Sequence, residues 1–257
     1  MTPGFSATAQ EQKVYKRAPI IEAVIDVQVT FAEVPSPDRL TECADSIQET
    51  FPTRLPISVV QMGMEARDGK LEQKEISQQQ TGWRLSNAKN DRVLQLQRAG
   101  FTYSHLAPYT QWDVFQGEAK LLWDEYVSAL NPATITRIAT RYINRIEIPA
   151  VAIQLEDYFN VTPRAPDSIG PLSTFLVQIQ VPYQSPERTQ AVITVAPGPA
   201  MGSPPTPGIL LDIDVSCSAP DVQPRSLKLW EYLGQMRRIK NKIFEDCITD
   251  KTRELIS

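Results

Sequence analysis

Two aspartates in the last third of the chain have the residue type and spacing of a metal site. Asp212 and Asp214 alternate in L-L-D-I-D-V, so on a strand their carboxylates share one face. With Glu22 or Asp26 as a further oxygen ligand, they would suit a hard cation such as Mg²⁺. The pattern makes a metal-dependent hydrolase or nuclease one candidate function.

Two arginines in the middle of the chain offer competing interpretations. Arg141 and Arg145 lie in T-R-Y-I-N-R-I-E-I-P, within a long strand that the pattern predicts from Ile138 to Pro149. If this strand neighbours the aspartate strand, the four side chains form a salt-bridge ladder, which is the favoured interpretation. An arginine pair also suits an anion or a peptide terminus. The binding residues predicted here are Arg141, Asn144, Arg145, Asp212 and Asp214.

Other catalytic signatures are absent from the sequence. His105 is the only histidine, which excludes a two-histidine metal site and leaves a histidine-dependent triad resting on one residue. There is no G-x-x-x-x-G-K-[ST] or G-x-G-x-x-G run to hold phosphates. The sequence therefore predicts no catalytic residue and no cofactor.

The final predicted helix carries the one basic cluster of the chain. Arg237 and Arg238 are its centre and are counted among the predicted binding residues. Glu231, Glu245 and Asp246 interrupt the cluster, so a solvated helix face is favoured over a nucleic-acid surface. Nucleic-acid binding by the sheet and this helix is kept as a further alternative.

Composition indicates an ordinary globular protein. The 257 residues are 42% hydrophobic and 22% charged, with a net charge of -4, which argues against a main role in neutralising phosphates. The three cysteines, Cys43, Cys217 and Cys247, are far apart and fit reduced thiols in a cytoplasm. No apolar run is long enough for a membrane helix, and the N-terminus lacks a signal-peptide pattern. The predicted location is cytoplasmic, away from membranes.

Periodicity predicts the elements of the first half. Alternation predicts a strand around Ile21 to Val29, and Ser36-Pro37 begins a helix that ends before Pro52. The predicted strands that follow run over Ile57 to Glu65, from Gly82 onward and over Arg92 to His105, while Leu71 to Gln80 is either a strand or a loop. A helix with an aromatic stripe from Trp112 to Leu130 closes this half.

The second half repeats this order in outline. The pattern predicts a short helix over Leu155 to Phe159, strands over Leu172 to Tyr183, Gln190 to Val195 and Ile209 to Val215, and a final long helix after Ser226. Ala196 to Gly208 is rich in proline and is predicted to be irregular.

The predicted fold is α+β with two tandem β-α-β-β-β-α halves. Each half has an antiparallel sheet packed by a long helix, in a TATA-binding-protein-like or helix-grip-like element order. The predicted boundaries are a flexible tail at 1–13, an N-terminal half at 14–132 and a C-terminal half at 133–257. Whether the halves share one sheet is left open.

Several segments resemble a sporadically distributed prokaryotic family of proteins of about this length. They are K-R-A-P-I-I-E-A-V, T-R-Y-I-N-R-I-E-I-P, L-L-D-I-D-V and N-K-I-F-E-D-C-I-T-D-K-T-R-E, and the resemblance covers Val14 to Glu254. The family carries no assigned activity, so the resemblance transfers no catalytic role. Its patchy distribution implies an accessory gene of a defence or toxin-antitoxin system.

The leading functional expectation is a non-catalytic binding or regulatory protein. It would hold a protein partner through the proline-rich Ala196 to Gly208 segment and an open sheet face, or assemble as a homo-oligomer. The metal-dependent enzyme and the nucleic-acid-binding protein are the two alternatives, and neither is favoured.

Overall fold

The computed structural model describes residues 13–67, 70–149, 153–166, 168, 170, 172–201, 206–218 and 220–257. The predicted tail at 1–13 therefore lies outside it, apart from Lys13. The described strands are β1 (Ile20–Thr30), β2 (Thr53–Arg67), β3 (Lys70–Ser86), β4 (Arg92–Gln97), β5 (Gly100–Leu106), β6 (Thr134–Glu147), β7 (Val177–Tyr183), β8 (Thr189–Met201) and β9 (Thr206–Ser218). The helices are α1 (Pro37–Ser46), α2 (Trp112–Leu130), α3 (Lys228–Cys247) and α4 (Asp250–Ile256), with a short 3₁₀ helix at Leu155–Asp157.

All nine strands join one antiparallel sheet in the order β2-β3-β4-β5-β1-β6-β9-β8-β7. The α+β prediction is confirmed, and the two halves contribute to a single sheet. The strands β1 and β6, which lie far apart in sequence, are neighbours near its centre. None of the helices in the described part of the chain is long and apolar enough to span a bilayer.

The strand count predicted for the first half is wrong. The predicted strand over Arg92 to His105 is two strands, β4 and β5, whose facing ends Gln97 and Gly100 enclose a two-residue turn. A side chain could not replace Gly100, because a Cβ there would lie 2.5 Å from the carbonyl oxygen of Val27. The undecided segment Leu71 to Gln80 is part of β3 and adds no strand of its own, so the split of Arg92 to His105 makes four strands follow α1 instead of three.

The prediction of irregular structure over Ala196 to Gly208 is also wrong for most of that segment. Ala196, Pro197 and Gly198 of β8 pair with Leu210, Ile209 and Gly208 of β9. β7 reaches β8 only as far as Val195, so the prolines lie where β8 has a free edge. Proline lacks the N–H that a central strand needs and is tolerated at such an edge. Residues 202–205 lie outside the described residues.

The core lies between the sheet and the three longest helices. α1 meets Trp83 of β3 through Thr41, α2 packs Trp123 edge-to-face against Phe101 of β5, and α3 places Lys240 over Tyr142 of β6. The strand partners place these sheet residues on the same face. α1, α2 and α3 therefore cover one face and leave the other face of the central strands open.

Candidate functional site on the open face of the sheet

Three arginines of β6 lie on the open face of the sheet, because they are separated by an even number of residues. Arg137, Arg141 and Arg145 lie four residues apart, and every second residue of a strand shares a face. On this face they are flanked by β1, which carries Glu22 and Asp26, and by β9 with its two aspartates. The register therefore gathers charges from three strands at the centre of the sheet.

Arg137 is the hub of these charges. Its guanidinium donates to Asp26 Oδ1 of β1 at 2.7 Å and to Asp214 Oδ2 of β9 at 3.0 Å. Thr102 of β5 donates to the other oxygen of Asp26 at 2.9 Å, so the network spans four strands. Burial raises the pKa of Asp214, against the opposing effect of Arg137 and Arg141.

Arg141 forms the second ion pair. Its Nε donates to Asp212 Oδ1 at 2.8 Å and its NH2 to Oδ2 at 2.5 Å, a two-point contact between planar groups. The hydrogen bond that Arg141 donates to Asp212 raises the pKa of the Arg141 guanidinium. The Arg141 side chain is 47% exposed while Asp212 is 17% exposed, so the arginine is the outward member of the pair.

Arg145 meets neither aspartate, although the sequence suggested that it could. It pairs with Glu147 and donates to the carbonyl oxygens of Pro199 at 3.1 Å and Thr206 at 2.9 Å. These carbonyls belong to the β8–β9 hairpin, which extends past the end of β6. Arg145 therefore anchors the base of that hairpin, and its 4% exposed side chain is structural.

The remaining predicted residues lie on the helix side of the sheet. Asn144 is buried and donates to the carbonyl oxygen of Leu211 at 2.9 Å across the β6–β9 pair. Arg237 of α3 lies over the ring of Trp112 with 5.3 Å from Cζ to the centroid, and Arg238 is exposed. The structure therefore does not bring Arg237 and Arg238 onto one surface with Arg141.

The donor set on the open face does not suit a cation. Asp212 and Asp214 are each paired with an arginine, as is Asp26. Within the described ranges, no group of three or more histidine, cysteine, aspartate or glutamate side chains is placed to hold a metal. The salt-bridge ladder, the interpretation favoured from sequence, accounts for Asp212 through Arg141, while Asp214 pairs with Arg137.

The central strands carry their positive charge on arginine alone. β5, β1, β6, β9 and β8 contain no lysine. Half-buried apolar side chains lie among the charges, since Val24 is directly opposite Arg141, and Ile143 lies between Glu22 and Asp212. Arginine enrichment with lysine depletion, mixed with apolar groups, is typical of protein interfaces.

A second polar cluster lies on the helix side and was missed from sequence. Lys240 of α3 lies over the Tyr142 ring with Nζ 3.8 Å from the centroid, and the Tyr142 hydroxyl is 3.2 Å from that of Tyr109. Burial, together with the nearby charge of Arg237, lowers the pKa of Lys240 to about 7. Its position four residues after Met236 and three before Ile243 puts it in the apolar stripe of α3, which is the signal that could have found it.

His105 lies on the same side of the sheet and is fully buried. Its ring centroid is 5.2 Å from that of Tyr109. Burial lowers its pKa, with a further contribution from Arg92. The histidine is therefore neutral near pH 7 and packs as part of the core.

Comparison of the chain with protein-family models and with curated proteins gave no match.

Proposed function

We propose that the chain is a cytosolic, non-catalytic binding protein that docks a protein partner on the open face of its sheet. The observation that carries the proposal is the Arg141–Asp212 pair, held among half-buried apolar side chains on the lysine-free central strands, on the face that the three longest helices leave open. Antiparallel sheets can expose one face to water. The mixture of arginine and apolar groups favours a protein interface over plain solvent exposure.

The charge of the face indicates the chemistry of the partner. Glu22, Asp26, Asp212 and Asp214 supply four carboxylates, against the guanidiniums of Arg137 and Arg141, while Arg145 is balanced by Glu147. Over β1, β6 and β9 this face therefore has an excess of two negative charges. A partner that presents lysine or arginine among apolar side chains is complementary to it. Nucleic acid is disfavoured at this face, because phosphates would meet the same negative excess.

The wider setting of this function is also part of the proposal. The halves at 14–132 and 133–257 are proposed to be tandem units, supported by the pairing of β1 with β6 and by the placement of the remaining strands outward on either side. The TATA-binding-protein-like comparison rests on element order and stays a prediction. An accessory role in a defence or toxin-antitoxin system rests on the family resemblance alone.

The decisive variant is Ile143→Lys. Ile143 is directly opposite Glu22 on β1 and Asp212 on β9, so a lysine there is placed between two carboxylates that favour its charge. The added positive charge repels a basic partner. Leu121→Lys makes the same change on α2, where Leu121 is 70% exposed, and serves as the matched control.

The experiment combines native mass spectrometry with reconstitution. The wild-type protein is purified gently from its host, its stoichiometric partner is identified, and binding of the two purified proteins is measured by calorimetry at two salt concentrations. We expect Ile143→Lys to weaken binding about 10-fold or more, Leu121→Lys to have no effect, and salt to weaken the wild-type complex. The proposal is wrong if Ile143→Lys binds the partner as tightly as the wild type does. It is also wrong if no stoichiometric partner is found.

A further inference from the structure

The two edges of the sheet differ in how they are protected. β2 carries Pro56 and Arg54, and Arg54 pairs with Asp45 at 2.5 Å and lies over Trp83 at 4.2 Å. Proline and charged side chains are common devices that prevent an edge strand from pairing with another chain. β7 forms the other edge, and no charged residue occurs between Leu172 and Tyr183. Its Pro182 is the single such device in that segment.

Apolar side chains are exposed along this unprotected edge. Ile179 of β7 is 39% exposed, and Leu172 and Leu176, which precede the strand, are 51% and 70% exposed. Val177, Val181 and Tyr183 are partly buried against the core, so β7 is firmly part of the sheet. Every second residue of an antiparallel edge strand points its backbone N–H and C=O away from its one neighbour. Among the described residues, β7 therefore presents both unpaired backbone groups and apolar side chains to solvent.

The sequence of this edge is complementary to itself. Val177 to Val181 reads V-Q-I-Q-V, the same in both directions. If a second copy of β7 is laid antiparallel about Ile179, Val177 faces Val181 and Gln178 faces Gln180. If the strand pair extends past β7, which begins at Val177, Phe175 faces Tyr183. Aromatic and β-branched pairs directly opposite each other stabilise an antiparallel pair.

We propose that two copies of this chain pair through β7, antiparallel and centred on Ile179, and so form one continuous two-fold symmetric sheet. The occupant is a second copy because the edge complements itself residue by residue. An edge without charges also offers no counter-charge that would select a different partner. The glutamines meet on the open face while the valines and isoleucines meet on the helix face, so both faces continue across the junction.

The assembly stops at two chains. A two-fold interface uses the β7 edge of both copies and leaves none free. Growth at the opposite edge is opposed by Pro56 and by the engaged side chain of Arg54 on β2. A closed dimer, rather than an open fibre, is therefore the expected species. It is independent of the open-face interface, because Ile143 lies near the centre of the sheet.

Analytical ultracentrifugation of the full chain over a micromolar concentration series tests the dimer. Wild-type protein is expected to reach the mass of a dimer. Ile179→Lys should remain a folded monomer throughout, since a buried lysine pair at the two-fold axis is repulsive. Leu55→Lys is the matched control, because Leu55 is 52% exposed on the opposite edge, and it should still dimerise.

A cysteine scan tests the register and does not depend on Ile179→Lys folding. Opposite Cα atoms in an antiparallel pair lie about 4.5 to 5.5 Å apart, within disulfide range. Ile179→Cys should therefore cross-link to itself on mild oxidation, whereas Gln178→Cys is about 8 Å from its own copy and should not. A mixture of Gln178→Cys with Gln180→Cys should form the mixed dimer. The native cysteines Cys43, Cys217 and Cys247 are buried and do not compete.

Three outcomes would overturn the proposal. They are a wild-type protein that stays monomeric at every concentration, a dimer that persists in Ile179→Lys, and a dimer that Ile179→Cys does not cross-link. Growth beyond two chains would show an open edge association instead of the closed pair.

Discussion

Arg137 joins two carboxylates that lie on different strands, and its loss leaves both without that partner. Asp26 and Asp214 are 24% and 29% exposed, so without Arg137 water only partly solvates their negative charges. We expect Arg137→Ala to lower the free energy of unfolding by about 1 to 3 kcal/mol. Arg141→Ala is the comparison, since Arg141 is 47% exposed and exposed pairs contribute about 0 to 1 kcal/mol. Urea unfolding of both variants measures the difference, and equal losses would refute the hub role of Arg137.

Lys240 makes the stability of the protein rise with pH. Its pKa is lowered from 10.5 to about 7, so between these values the unfolded chain binds the proton that the folded chain has lost. Stability from this group therefore rises with pH across that window and is constant below it. Arg237 and Glu245 are the charged neighbours that act on Lys240, in opposite directions, and burial is the largest cause.

Lys240→Met is expected to stabilise the protein most at and below pH 7. The advantage over wild type should shrink by about 1.4 kcal/mol for each pH unit above 7. The tyrosines and cysteines that titrate in the same pH range contribute equally to the unfolding free energies of both proteins, so their effect cancels in the difference. Urea unfolding at several pH values provides the measurement. An advantage that does not change with pH would mean that Lys240 keeps its proton in the folded protein.

At the residue level, the sequence predicted which charged residues share a face better than it predicted which of them form ion pairs. The even spacing of arginines along β6 and of aspartates along β9 was sufficient to place them on one face. The partner of each arginine depends on how far its side chain reaches across a twisted sheet. Arg141 is directly opposite Asp214 yet binds Asp212, and Arg137 binds Asp214. No pattern within one strand contains that information.

The β8–β9 hairpin is held at its base by one side chain that requires a glycine. A Cβ on Gly208 would lie 2.8 Å from the Cζ and Nε of Arg145. Gly208→Ala should therefore displace the guanidinium from the carbonyls of Pro199 and Thr206, at a cost of about 1 to 3 kcal/mol. Hydrogen exchange should speed up at Gly198 and Leu210, where the two strands pair. Unchanged exchange at both amides would show that Arg145 does not anchor the hairpin.

Two helical glycines offer the opposite test. Beyond the chain neighbours and the backbone of their own helices, Gly117 in α2 and Gly234 in α3 have no heavy atom of a described residue within 4 Å of an added Cβ. Alanine is a better helix former than glycine by about 0.8 to 1 kcal/mol. Gly117→Ala and Gly234→Ala should each stabilise the protein by up to that amount in thermal unfolding. A loss of stability would mean that the space beside these helices is not free in the folded protein.

Long, strongly periodic elements were predicted well, and breaks within them were not. The alternation of β1 and the apolar stripes of α2 and α3 depend on burial of one face, which the sequence records directly. The R-A-G turn between β4 and β5 carries only a single glycine as a signal, so the two strands read as one. The prediction for the proline-rich end of β8 failed for a different reason. Proline argues against a central strand, and only the sheet order shows that this part of β8 has a free edge.

The whole molecule is expected to unfold in one cooperative step, although the chain is proposed to contain two tandem halves. The pairing of β1 with β6 joins the halves through ten residue pairs in the middle of the sheet. The helices are joined as well, since Trp123 of α2 donates to the carbonyl oxygen of Pro224 at 2.9 Å and Gln116 donates to that of Trp230 at 3.2 Å. Separate domains would instead meet through a small, mainly polar contact.

Calorimetry distinguishes these two cases. We expect a single transition whose calorimetric enthalpy equals its van't Hoff enthalpy per chain, measured in Ile179→Lys so that dissociation of a dimer does not contribute. Tyr142→Ala on β6 should then lower the midpoint of the whole transition, because Tyr142 contacts Tyr109 from the first half and Lys240 from the second. Two resolved transitions, with only the later one shifted by Tyr142→Ala, would mean that the halves fold independently and that the shared sheet forms by docking.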